Sequence, residues 1–83
     1  MAYNVLVGQA VAQRLRDAPG QLQGYVAGIV AFLRVDPSAA SVAFTVVSGP
    51  GYRTIIFASG RGFLDFEVIE EDGIVLLTAL TWL

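Results

Sequence analysis

Five arginines (Arg14, Arg16, Arg34, Arg53 and Arg61) and seven carboxylates are the only charged side chains in an 83-residue sequence that has no lysine, histidine or cysteine. Without imidazole or thiol, the commonest general base, the commonest metal ligand and the cysteine nucleophile are all excluded, together with disulfides and zinc–thiolate sites. The chemistry that remains is electrostatic: a guanidinium can hold a phosphate, and a carboxylate can accept a proton. Arg53 and Arg61 are the pair to weigh, because they share the stretch "GYRTIIFASGRGFLDFEV" (Gly51 to Val68) with Asp65 and Glu67. Metal-independent RNA cleavage needs a base for the 2′-hydroxyl, an acid for the leaving oxygen and a cation for the phosphorane. Arg53 or Arg61 would supply the cation, and Asp65 or Glu67 the base. The simpler expectation is that Asp65 and Glu67 form a solvated strand face, paired with Arg53 or Arg61 across the ladder. With no histidine or lysine beside them, the simpler expectation is preferred and catalysis is the minority reading.

The remaining polar clusters are turns. Glu70, Glu71 and Asp72 are adjacent on a tight turn, where neighbouring side chains diverge, so no metal site is expected. "GPG" and "GRG" lack a following helix and are too short to cradle a phosphate, so no cofactor is expected either. A net charge of −2 and an isoelectric point near 4.7 argue against direct nucleic-acid binding, which needs a basic field.

The apolar content points elsewhere. The sequence is 55% hydrophobic with a mean hydropathy of +0.66, more than the ~45–50% of ordinary domains. A single domain of this size, residues 1–83, buries only roughly 60% of its unfolded surface. The surplus implies a partner or self-association as a homo-oligomer. Phe32, outside the main stripe of a greasy helix, and Trp82 with Leu83 beside the last strand are the residues expected to face that partner. The start lacks the basic and apolar regions of a secretory signal, and no apolar run approaches the ~18 residues of a membrane span. A cytoplasmic location with no membrane contact is expected.

Periodicity supplies the elements. "YNVLV" (Tyr3 to Val7) reads as a strand, and "GQAVAQRLRDAPG" as a short helix stopped by Pro19-Gly20. From Gln21, Leu22, Tyr25, Val26, Ile29, Val30 and Leu33 repeat at i, i+3, i+4, i+7, i+8, i+11, one face of a helix that ends at Asp36-Pro37. The period then changes to two. Strands are predicted around Val42, Phe44 and Val46, over "YRTIIFA", over "FLDFEVI" with Leu64, Phe66 and Val68 on one face, and over "IVLLTALTWL" after the Asp72-Gly73 turn. A last strand that is apolar on both faces is expected inside its sheet. The predicted fold is α+β: strand, helix, helix, then a three- to four-stranded antiparallel meander, with the helices packed on one face.

This order, with "Y-x-V" at Tyr3 to Val5, a helix ending in "DP" at Asp36-Pro37, "GYR" at Gly51 to Arg53, "F-x-V" at Phe66 to Val68 and "IVLL" at Ile74 to Leu77, resembles the RelE/ParE superfamily of type II toxin–antitoxin toxins. The resemblance covers nearly the whole chain. It implies a toxin held inactive by an antitoxin partner, with one of two activities. RelE-like members cleave messenger RNA on the ribosome without metal, using basic residues; ParE-like members share the fold and are associated with inhibition of DNA gyrase. Arg53 matches the basic position of the family's "YR" strand. Phe63 stands where a second basic residue is common, Phe66 where tyrosine is common, and Arg61 would reach the face of Phe63 only if the strand began that early. The basic and aromatic C-terminal segment of the ribonucleases has no counterpart after Trp82-Leu83. The expectation is therefore a ParE-like toxin component acting by macromolecular binding. A ribosome-dependent endonuclease using Arg53 and Arg61 is the first alternative, and a non-toxic oligomerisation module the second.

Overall fold

The computed structural model describes residues 2–83. Asn4–Val7 forms β1, Gln9–Arg16 α1 and Gly20–Val35 α2. Gly8 joins strand to helix with its N–H donated to the Leu77 carbonyl at 2.9 Å, and a Cβ there would lie 2.6 Å from that same oxygen. Only glycine lets the backbone seat this closely. The end of α1 is closed by a side chain from α2: Gln23 Nε2 donates to the Leu15 and Ala18 carbonyls at 3.1 and 3.3 Å, satisfying acceptors that a helix C-terminus leaves open.

The stripe predicted on α2 is the buried one. Leu22, Val26, Ile29 and Leu33 are all within 3% of full burial, with Tyr25 and Val30 at its margins. The helix gives way at Asp36, whose extended backbone (φ −156°) precedes Pro37.

The next segment departs from expectation. The strand predicted around Val42, Phe44 and Val46 starts later than expected: a 3-10 turn at Pro37–Ala39 leads into a single helical turn, α3, at Ala40–Ala43, which takes in Val42. Val42 is 89% exposed, whereas Pro37 and Ala40 are buried. A proline at the first position of the turn and alanines at 39, 40 and 43 favour helix, and packing Ala40 into the core outweighs the period-two pattern. Extended structure begins only at Thr45.

Thr45–Gly49 (β2), Tyr52–Phe57 (β3), Gly62–Ile69 (β4) and Ile74–Trp82 (β5) then form the antiparallel meander. β1 adds to it parallel to β5, with Val5 opposite Val75, so the order is β1-β5-β4-β3-β2. The doubly apolar β5 is interior, as expected. Gly73 adopts the left-handed conformation (φ 62°) that the β4–β5 turn requires. Between Asp65, opposite Ala79, and Phe66, opposite Leu77, Thr78 is one residue too many. This bulge switches the parity of β5, so Leu80 and Trp82 join Val75 and Leu77 on the helix-covered face.

That face holds the core: Ile55, Leu64, Phe66, Val75, Leu77 and Leu80 from the sheet with Val11 of α1 and the α2 stripe form one cluster. α1 and α2 lie on this side, as predicted, and α3 joins them through Ala40; no helix among the described residues is long and apolar enough to cross a membrane.

Two measurable consequences follow from this packing. Phe66→Ala, at 0% exposure, should destabilise the chain by about 3–5 kcal/mol in urea unfolding, while Val42→Ala should stay within about 0.5 kcal/mol. Separately, Tyr3 ties the β1 end to the β4–β5 turn, its hydroxyl donating to Glu70 Oε2 at 3.0 Å. That hydrogen bond, followed by desolvation and the charges of Glu70 and Asp36, raises the phenol's pKa. Since the folded value lies above the unfolded one, the contribution is complete below the ordinary tyrosine range near pH 10 and lost as pH rises through the folded value. The stability difference between wild type and Tyr3→Phe should therefore narrow in strongly alkaline buffer.

Candidate functional site

Arg53 lies on β3 opposite Ser48 on one side and Phe66 on the other. By register it shares the helix-covered face with Ile55 and Phe57, but at the end of β3 farthest from the β3–β4 turn. There it borders two adjoining clefts. One, of about 370 Å³, is lined by Ser48, Tyr52, Phe66, Glu67 and Val68; the other, of about 230 Å³, by Ser38, Ser41, Val46 and Ser48. Arg53 is half-buried there, and the Ser38 hydroxyl is already engaged, donating to Asp36 Oδ1 at 2.6 Å.

Arg61 is not brought to it. Arg61 has helical backbone (φ −83°, ψ −26°) in the turn before β4, which starts at Gly62, so it does not share the strand face of Phe63. Gly62 pairs with Phe57, which lies four positions along β3 from Arg53, about 13 Å at ~3.3 Å per residue. The Arg61 guanidinium instead sits over the Trp82 ring, 4.5 Å from its centroid, and donates to the Leu83 carbonyl through Nε at 3.3 Å and Nη2 at 3.2 Å. Trp82 in turn stacks with Phe57 at 6.1 Å, and Tyr25 closes the cluster. Leu83 remains 71% exposed. Phe32, expected to face a partner, is half-buried with its ring edge-on to Phe44 at 5.3 Å.

The expected ladder pairing of Asp65 with an arginine is also replaced. Its cross-strand neighbour is Thr54, whose hydroxyl donates to Asp65 Oδ1 at 2.6 Å. The parity of the strand explains the difference, since Arg53 and Asp65 point to opposite faces. No group of three or more Asp, Glu, His or Cys side chains that could hold a metal ion occurs among the described residues.

What sequence reasoning missed is the second face of the sheet. Thr54, Ile56, Phe63, Asp65, Glu67, Ile69, Ile74 and Leu76 alternate with the core residues, and none of them is buried. At the sheet edges Leu6, Val47 and Tyr52 are 48, 55 and 45% exposed. The doublets Ile55-Ile56 and Leu76-Leu77 were the available signal: one member of each must point away from the helices.

A five-stranded sheet with helices on one face and a parallel strand added beside the last strand defines an α+β fold of the RelE toxin type, as the resemblance implied. Among solved structures, the chain is similar to the RelE–RelB complex from the archaeon Pyrococcus horikoshii, with a TM-score of 0.81, 18% identity, and 99% of this chain and 96% of that chain covered. It is similar also to the intact RelBE toxin–antitoxin complex of E. coli (0.79, 16%, 99% and 98%) and to the isolated E. coli RelE toxin (0.78, 16%, 98% and 84%). At these identities the likeness is one of fold. No protein-family model and no curated protein sequence matches the chain.

Because Trp82 is the sole tryptophan, its fluorescence reports the Arg61 contact. Arg61→Ala should shift the emission and cost about 0.5–1 kcal/mol, whereas Arg53→Ala should leave the emission unchanged. Identical spectra for wild type and Arg61→Ala would rule out the stacked geometry in solution.

Proposed function

We propose that the chain is the toxin-like component of a type II toxin–antitoxin module, acting by macromolecular binding in the ParE manner and neutralised by an antitoxin partner. The observation that carries this reading is the likeness of fold along nearly the full chain to RelE proteins, both free and in complexes with RelB antitoxins. Binding rather than catalysis is supported by the site: Arg61 is engaged by Trp82 and Leu83, and Arg53 has neither imidazole nor ammonium company. Gyrase is the target type that this reading favours, with the ribosome as the target of the second.

The second reading is a metal-independent, ribosome-dependent endoribonuclease in which Arg53 holds the phosphate. It draws on the cleft that joins Arg53 to Ser38, Ser41 and Ser48, and on the similar structures being those of RelE proteins. Inducible expression in a bacterial host separates the readings. Growth should stop, co-expression of the neighbouring gene's product should restore it, and Arg53→Ala should arrest growth as wild type does without messenger cleavage. Arrest and cleavage lost together in Arg53→Ala would establish the ribonuclease instead. Growth unaffected by the wild-type chain would leave a non-toxic oligomerisation module of the same fold.

A further inference from the structure

The sheet has two outer strands, and they are guarded differently. β1 is four residues long and runs at once into Gly8 and α1, while the N–H of Tyr3 just before it is held by the Arg34 carbonyl at 2.7 Å. β2, "TVVSG", carries none of the devices that blunt an edge: no charged side chain, no proline and no bulge in its register with β3. Thr45, Val47 and Ser48 are exposed along it. The hairpin decides which backbone groups stay open. Gly49 pairs with Tyr52 across the two-residue Pro50-Gly51 turn, so Gly49, Val47 and Thr45 exchange hydrogen bonds with β3. The N–H and C=O of Val46 and Ser48 therefore point away from it. Among the described residues, no backbone hydrogen bond outside the ladder reaches those four groups.

We propose that β2 pairs antiparallel with β2 of a second copy about a two-fold axis through Val47, joining two sheets edge to edge. The inference goes beyond the toxin–antitoxin reading and does not depend on it. In this register Val46 of each chain exchanges hydrogen bonds with Ser48 of the other, and every open group of both strands is used. Neighbouring two-fold registers do worse. Centring on Ser48 sets Val46 opposite Pro50, which has no N–H, and centring on Val46 sets Ser48 opposite Phe44, whose N–H already goes to the Ala40 carbonyl at 2.8 Å. Val47 meets its own copy at the non-hydrogen-bonded position, where cross-strand side chains are closest. Charge permits the approach. The nearest charged side chain in the sheet, Arg53 on β3, lies three strand spacings from its copy, at least about 14 Å at ~4.8 Å each and beyond the ~8 Å Debye length at physiological ionic strength. A second copy supplies the matching donors and acceptors from the sequence itself; a foreign strand would have to bring its own. Five residues a side bury less than the ~1,200 Å² of a standard interface, so the dimer is expected to be weak.

Sedimentation of the purified chain tests the proposal. Its average mass should climb from 8.8 kDa towards twice that value as concentration rises from about 10 μM to about 1 mM. Ser48→Pro removes an outward N–H without touching the ladder to β3, and Val47→Lys sets like charges on the axis; each should weaken the dimer at least about tenfold. Circular dichroism and Trp82 emission verify that the variants are folded. Because the chain has no cysteine, single replacements read the register directly. Val47→Cys sets the paired Cα atoms ~4.5 Å apart, within disulfide range, whereas Thr45→Cys leaves its pair at least about 13 Å apart. Mild oxidation should therefore cross-link Val47→Cys at least about tenfold faster than Thr45→Cys. A mass of 8.8 kDa at every concentration, as an edge kept for another protein's strand would give, overturns the proposal. Equal cross-linking rates, or a dimer indifferent to both Ser48→Pro and Val47→Lys, would place any self-association elsewhere and overturn it too.

Discussion

Burial of the α2 stripe on one face of the central strands is the constraint on which the rest depends. Each fully buried leucine, isoleucine or phenylalanine contributes about 1.5–3 kcal/mol by leaving water, and Leu22, Val26, Ile29 and Leu33 meet Leu64, Phe66, Val75 and Leu77 in a single cluster. Once these faces are joined, strand parity decides every other position. Arg53 is drawn to the helix side of the sheet, Asp65 and Glu67 to the opposite side, and the Thr78 bulge is needed to keep Leu80 and Trp82 on the core side.

The same constraint disperses the charged groups. Parity puts Arg53 and Asp65 on opposite faces, and the β3–β4 turn leaves Arg61 at the far end of the strand pair, occupied by an aromatic ring and a backbone carbonyl. Electrostatic catalysis needs donors converging on the point where charge develops. Separation of this kind suits surfaces that bind better than a pocket that reacts. It also sorts charge by surface: arginines on and around the helical side, carboxylates alone on the open face.

Much of the architecture was legible in the sequence, for identifiable reasons. The α2 stripe repeats over twelve residues, long enough for a 3.6-residue period to be unambiguous, and Asp36-Pro37 ends it sterically. The β3 and β4 strands carry alternation and β5 an almost continuous apolar run, with glycine turns between them. The segment from Pro37 to Phe44 failed because three apolar residues at alternate positions, Val42, Phe44 and Val46, fit a strand, while the preference for a helical turn arises from burying Pro37 and Ala40. The partners of Asp65 and Arg61 were missed for a different reason. A hydrogen bond between residues 54 and 65, or 61 and 83, depends on register and on a bulge that leave no local trace.

Sequence by itself determined which chemistries are absent, where the main helix and the meander lie, and that the chain carries more apolar surface than a small core absorbs. Those properties follow from residue type and short-range period. Tertiary structure alone decided where that surplus goes: partly onto the uncovered face of the sheet, with Leu6, Val47 and Tyr52 exposed at its edges, and partly to Val35, Val42 and Leu83 away from it. It also decided that Arg53 and Arg61 stay apart. Both outcomes come from strand pairing, which assigns each side chain to a face through partners distant in the chain.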